Sequence, residues 1–182
     1  MSAQFIGVGV GPGDPELVTL KAARYIEHAD VISYIANAKG ESQAKHIART
    51  VLQGNQGCAE IPVLMPMCED RAIANQVYDE AASAISAAIN AGKQVVFLCE
   101  GDPLFFGSFA YLLERLQHQV SCEVVPGISS VHAASSALQL PLTMLKESFA
   151  VVSGRHSTEK LEATLRQYES VVIMKAGRSR QR

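Results

Sequence analysis

The stretch Phe5-Ile6-Gly7-Val8-Gly9-Val10-Gly11-Pro12-Gly13-Asp14-Pro15 decides the fold. It opens as an apolar, β-branched run, the composition of a strand, and leaves through alternate glycines into an aspartate and a proline. Glycines at alternate positions permit torsions and close backbone approaches that a side chain blocks. Asp14 suits a helix N-cap, and Pro15 suits the first helical position, where its missing N–H is no loss. The stretch therefore predicts strand, tight turn and helix in succession.

Outward from it the same succession repeats. Strands are predicted over residues 5–10, 31–34, 59–63, 94–98, 121–125, 149–152 and 170–174, and helices over 15–28, 42–52, 70–91, 108–116, 129–137 and 158–167. In the helix 70–91, Ile73, Val77, Ala81, Ala84, Ile85, Ala88 and Ile89 recur at the spacing of one face. Gly92 marks its end, because a left-handed C-terminal residue is cheapest as glycine. Such alternation implies an α/β fold with an open, mainly parallel sheet. Leu140-Pro141-Leu142 interrupts the helical pattern, since proline removes a donor and pushes its predecessor toward extended geometry. Residues 1–140 then form a first α/β lobe carrying the glycine-rich loops, and 141–182 a partial second α/β lobe.

The composition excludes several function classes. Of 182 residues 48% are apolar and 19% charged, with a net charge of −2, which is the balance of a folded globular chain. Neither nucleic acid nor an anionic membrane is a natural partner at that charge. The basic residues Lys175, Arg178, Arg180 and Arg182 crowd the last eight positions, so the body of the chain is net acidic. No apolar stretch reaches the length of a membrane span, and Met1-Ser2-Ala3-Gln4 lacks the basic start of a secretory signal. A cytoplasmic location is expected. Cys58, Cys68, Cys99 and Cys122 form no Cys-x-x-Cys, and no histidine stands at ligand spacing, so buried free thiols are expected and no metal site is assigned.

Chemistry in an open parallel sheet collects where loops leave the carboxyl ends of strands. Three such loops are unusual. The first is Gly7 to Pro15; its spacing is not that of a dinucleotide fingerprint, and no Gly-Lys-Ser/Thr completes a phosphate loop, so it is either a ligand-approaching turn or a tight turn alone. The second, Glu100-Gly101-Asp102-Pro103-Leu104-Phe105-Phe106-Gly107, carries two carboxylates suited to an ammonium, a sulfonium or a ribose. Its alternative is Asp102 as a helix cap with both phenylalanines in the core. The third, Val124-Val125-Pro126-Gly127-Ile128-Ser129-Ser130, offers hydroxyls that either cap the next helix or face a ligand. His132 beyond it reads more simply as a satisfied or exposed histidine than as a catalytic one.

Together these loops carry a resemblance. Residues 7–22, Gly101-Asp102-Pro103-Leu104-Phe105-Phe106-Gly107 and Val125-Pro126-Gly127-Ile128-Ser129-Ser130 look like the three signatures of the tetrapyrrole methylases, and Ala29-Asp30-Val31-Ile32 and Leu140-Pro141-Leu142 also fit. The match runs from residue 5 to about 177. Within the family, the Pro-Glu-Leu at 15–17, Pro66-Met67 and Val171-Val172-Ile173-Met174-Lys175 are most similar to the branch that methylates C20 of precorrin-2.

The resemblance implies a two-lobed fold, S-adenosylmethionine as methyl donor in corrinoid and porphyrin biosynthesis, a tetrapyrrole substrate (precorrin-2 or cobalt-factor II) and a homodimer. It implies cofactor contacts at Pro12, Glu100, Gly101, Asp102, Phe105, Ser129, Ser130 and Met174. Glu100 departs from the glycine common at its position, which favours a backbone contact there. Some relatives carry an acid after the tyrosine of the second strand; here the residue is Ile35, and no general base is assigned. Lys39 is either a solvated loop lysine or a group for a substrate carboxylate. The family pattern continues beyond Lys175, so the chain reads as a second lobe cut short, with an impaired relative as one alternative. Same-fold methylases of another precorrin, uroporphyrinogen III, ribosomal RNA or diphthine are the other, and the acidic body disfavours RNA.

Overall fold

A computed structural model describes residues 3–66 and 70–177. Met67, Cys68 and the basic residues Arg178, Arg180 and Arg182 lie outside the described residues. The chain divides into two compact units, Met1–Ser130 and Val131–Arg182. The Leu140-Pro141-Leu142 signal places the division after the sixth helix; the units divide after Ser130, in the first turn of that helix.

In the first unit, β1 (Phe5–Gly9), β2 (Val31–Ala36), β3 (Ala59–Leu64), β4 (Val95–Cys99) and β5 (Cys122–Val125) form one parallel sheet in the order β3-β2-β4-β1-β5. Side chains alternate across a strand, and here both faces are covered, which explains the nearly unbroken apolar runs. On one face Ile6, Val8, Ile32, Tyr34, Val96 and Leu98 pack against α1 (Leu20–Glu27) and α2 (Gln43–Ile47) through Ala22, Ile26, Ala44 and Ile47. On the other, Phe5, Val95 and Phe97 meet α4 (Arg71–Asn90) and α5 (Phe109–Leu116) through Ala81, Ile85, Phe109 and Leu112. Gly7 makes this second face possible: a Cβ there would fall 2.5 Å from the Phe109 ring, which stacks on Phe5 at 5.1 Å.

Two predicted helices are each divided. In place of one helix over 15–28, Pro15–Leu17 makes a single 3₁₀ turn; Val18 is extended, and Thr19 starts α1 afresh, its hydroxyl accepting from the Ala22 N–H at 3.2 Å. Asp14 caps as expected, its carboxylate accepting from the Glu16 N–H at 2.9 Å. In place of 42–52, α2 and the short α3 (Arg49–Leu52) meet at Ala48, whose ψ of 0° lies outside the helical region. The long α4 is as predicted, with Asp70 as N-cap. Its C-terminus is a Schellman arrangement: Gly92 at φ +84° donates to the Ile89 carbonyl at 2.9 Å, and Lys93 to that of Ala88 at 3.1 Å.

The edge strands are fastened alike. On β5, Glu123 accepts from Lys21 at 2.7 Å and from the Tyr25 hydroxyl at 2.6 Å, both on α1. On β3, Glu60 accepts from Lys45 of α2 at 2.7 Å and from the Tyr34 hydroxyl of β2. Each lysine also lies over its tyrosine ring, at 5.8 and 5.1 Å. The described cysteines are free: Cys99 is buried, Cys58 and Cys122 half-buried.

The second unit holds α6 (Ser130–Leu138, its first residue belonging to the first unit), β6 (Phe149–Ser153), α7 (Thr158–Gln167) and β7 (Ser170–Met174). Here β6 and β7 pair in parallel, from Phe149 opposite Ser170 to Ser153 opposite Met174. Parallel strands need a crossover, and α7 supplies it, capped by Ser157.

Candidate functional site

The strand order creates a switch point. The chain leaves β1 toward α1 on one face and leaves β4, its neighbour, toward α5 on the other, so the two loops part at the carboxyl edge. Register brings three strand ends level: Gly9 pairs with Cys99, and Val8 with Val125. The three loops singled out in the sequence therefore converge in the first unit.

Their convergence is backbone on backbone. Beyond the strands, the Val10 N–H donates to the Cys99 carbonyl at 2.8 Å and the Gly101 N–H to the Gly11 carbonyl at 2.8 Å, forming an isolated antiparallel bridge between the first two loops. Gly11 at φ +83° and Gly101 at φ +63° adopt the left-handed torsions that this bridge requires. The third loop closes against both. A Cβ on Gly127 would lie 2.1 Å from the Gly101 carbonyl oxygen and 2.6 Å from the Gly9 Cα, while one on Gly9 would lie 2.5 Å from the Gly127 Cα.

Asp102 locks this packing. One carboxylate oxygen accepts from the Gly127 N–H at 3.1 Å, the other from the Leu104 N–H at 2.9 Å. This differs from the reading of Asp102 as a helix cap: α5 starts at Phe109, and its N-cap is Ser108, which makes no side-chain cap bond. Nor do the adjoining phenylalanines join the core. Phe105 is half-buried and Phe106 is 42% exposed, their rings edge to face at 5.2 Å.

Around this junction Pro12 is half-buried, Glu100 exposed, Ser129 buried and Ser130 exposed at the start of α6. A Cβ placed on Gly101 would meet the Ser129 Cα at 3.8 Å and the Ile128 carbonyl oxygen at 3.9 Å, so the second and third loops are in ordinary contact there as well. Burial first, then the carboxylates of Asp102 and Glu100, hold the Cys99 thiol well above its ordinary value, so it stays neutral in an acidic field and is no nucleophile. Met174 belongs to the second unit, half-buried at the end of β7. His132 is exposed on α6. Lys39 is exposed on a turn organised by Asn37, whose side-chain oxygen accepts from the Lys39 and Glu41 N–H groups at 2.9 and 3.0 Å.

Sequence reasoning missed the Asp102 tie and the contact of Gly9 with Gly127. The signal for the second was present, since each of the three loops places a glycine within two residues of its strand's end.

Known proteins resemble this chain along most of its length. The family model described as Tetrapyrrole (Corrin/Porphyrin) Methylases matches residues 4–182. A precorrin-2 C(20)-methyltransferase of Sinorhizobium sp is 36% identical over 97% of this chain and 74% of its own length. A cobalt-precorrin-2 C(20)-methyltransferase of Salmonella typhimurium is 34% identical over 96% of this chain and 73% of its own. The crystal structure of uroporphyrin-III C-methyl transferase from Thermus thermophilus complexed with S-adenyl homocysteine superposes with a TM-score of 0.63 at 32% identity, covering 96% of this chain and 71% of that one. The chain also spans 35% of the length of the mycobacterial cobalamin biosynthesis protein CobIJ. With three loops packed at one switch point and these similarities along nearly its whole length, the chain belongs to the tetrapyrrole (corrin/porphyrin) methylase family.

Proposed function

We propose that this chain transfers a methyl group from S-adenosylmethionine to a carbon of a tetrapyrrole, and that the carbon is C20 of precorrin-2 or of its cobalt-containing counterpart. The observation that carries the reading is the glycine junction of Gly9, Gly101 and Gly127 beneath two carboxylates. A side chain at Gly9 or Gly127 would collide with the facing backbone, so the glycines let the three loops meet at one edge, where the carboxylates of Asp102 and Glu100 suit a sulfonium. The similarity to two C20-methyltransferases supports the choice of substrate.

S-adenosylmethionine supplies a methyl group already activated on a sulfonium. What remains for the protein is to hold and orient. Pro12, the backbone of Glu100 and Gly101, Phe105, Ser129 and Ser130 would hold the cofactor around the junction. Asp102, both of whose oxygens are taken by backbone N–H groups, fixes the loops more than it binds. Orientation of two reactants lowers a barrier by roughly 7–11 kcal/mol in favourable cases, enough that neither a metal nor a nucleophile is required of the chain. A cytoplasmic homodimer completes the reading.

Labelled methyl transfer tests it. Purified protein should move label from S-adenosylmethionine to precorrin-2 or cobalt-factor II, and no transfer to either overturns the substrate. Transfer to uroporphyrinogen III instead would favour the second reading, motivated by the 32% identity to the Thermus enzyme.

A further inference from the structure

In the first unit, every large apolar side chain that is exposed among the described residues lies on one rim. Leu20 stands in the first turn of α1, Leu64 at the end of β3, Ile73 in the first turn of α4, and Leu104 and Phe106 between β4 and α5. All of these positions are at the carboxyl ends of the parallel strands; the opposite rim displays none. Exposed apolar residues scattered singly need no explanation, but a set confined to the edge that holds the candidate site does.

Phe106 stands out within the set. Its φ is +55°, a left-handed conformation that is an outlier for a bulky residue, and it is followed by Gly107, where a Cβ would fall 2.6 Å from the Pro103 carbonyl oxygen. Strain that displays a ring in solvent gains nothing for the fold, and such strain persists where it serves a site. The same rim carries a cation at the start of α4. The first turns of α4 and α5 touch through Arg71, whose guanidinium lies 5.3 Å from the Tyr111 ring centroid and donates to its hydroxyl at 3.4 Å.

We propose that Phe106 is a specificity-determining residue that bears on the face of the tetrapyrrole macrocycle, with Arg71 on the same rim for a peripheral carboxylate. The proposal rests on the reading above. A flat, apolar ring bordered by carboxylates is the chemistry that an exposed aromatic and a propped guanidinium on one rim recognise. Phe106 takes no part in the backbone contacts of the glycine junction and is exposed on the rim, so the ring is assigned to the substrate and the junction to the cofactor.

The test uses Phe106→Gly and Phe106→Tyr in the full chain, with binding of uroporphyrin III, a stable octacarboxylate macrocycle, followed by fluorescence. Calorimetry with S-adenosylhomocysteine, thermal denaturation and sizing run in parallel. F106G should weaken uroporphyrin binding roughly tenfold, leave S-adenosylhomocysteine affinity unchanged, and melt no lower than wild type because glycine relieves the torsion. F106Y should restore macrocycle affinity. R71Q should weaken the macrocycle and flatten its salt dependence. Unchanged uroporphyrin binding by F106G overturns the inference and leaves the methylase reading standing. So does an equal loss for both ligands, a lower melting temperature, or a change of oligomeric state. Wild-type protein that binds S-adenosylhomocysteine and no macrocycle overturns the tetrapyrrole reading and this inference with it.

Discussion

The carboxylate of Asp102, near the start of the loop that leaves β4, accepts the backbone N–H of Gly127, at the start of the loop that leaves β5, at 3.1 Å. Two loops separated by 25 residues of chain are thereby held in contact, and the same carboxylate closes its own turn through the Leu104 N–H. A charged acceptor on two backbone donors is among the stronger hydrogen-bond arrangements.

Replacing Asp102 with alanine should accordingly separate the loops before it alters any chemistry. Loss of charge-assisted bonds costs about 1–3 kcal/mol, so D102A should melt below wild type and bind S-adenosylhomocysteine less tightly. Denaturant unfolding and calorimetry read the two effects. A variant that loses affinity at full stability would instead mark Asp102 as a direct ligand.

The glycine junction is a steric demand. Gly127→Ala places a Cβ against the Gly101 carbonyl and the Gly9 Cα, backbone atoms that cannot swing aside. We expect a loss of at least about 1–3 kcal/mol, the range for overpacking, together with loss of cofactor binding. Gly57→Ala is the control: its φ of +91° strains alanine, but no atom lies within 4 Å, so stability should fall by about 1–2 kcal/mol with binding untouched.

Gly7 and Phe109 form a second dependence, in the core. Phe109 is fully buried between Phe5 and Phe97, at 5.1 and 6.2 Å. Phe109→Ala should cost about 3–5 kcal/mol, measured by denaturant unfolding, while Gly7→Ala should destabilise through collision with the same ring.

The edge-strand clasps predict an acid sensitivity. Hydrogen bonds from Lys45 and Tyr34 hold Glu60 below its ordinary value of 4.5, and those from Lys21 and Tyr25 do the same for Glu123. A lowered carboxylate stabilises the fold above its unfolded value, and that contribution disappears as pH falls through the folded one. Melting temperature should therefore drop as pH is lowered below about 4.5, and the E60Q/E123Q double variant should show a shallower drop. Lys45 and Tyr34 are shifted upward, Lys45 chiefly by its bond to Glu60 and Tyr34 chiefly by burial. Their contribution holds below the unfolded values near 10 and is lost only at higher alkaline pH.

Local sequence alone determined the strand–helix alternation, because period, β-branching and caps act over a few neighbouring residues: Asp14 and Gly92 act as their positions predict. It also identified the three loops, since glycine where a chain must turn is a local requirement. It did not reveal that Val18 is extended or that Ala48 breaks a helix, for each break is settled by what the flanking segments bury. Only the tertiary structure decided which loops meet. Strand order makes β4 the neighbour of β1 and brings Gly9, Gly101 and Gly127 together, and pairing of distant strands leaves no mark in any local window. The Asp102 tie was hidden for the same reason: its backbone partner, 25 residues away in the chain, is brought within 3.1 Å only by the fold.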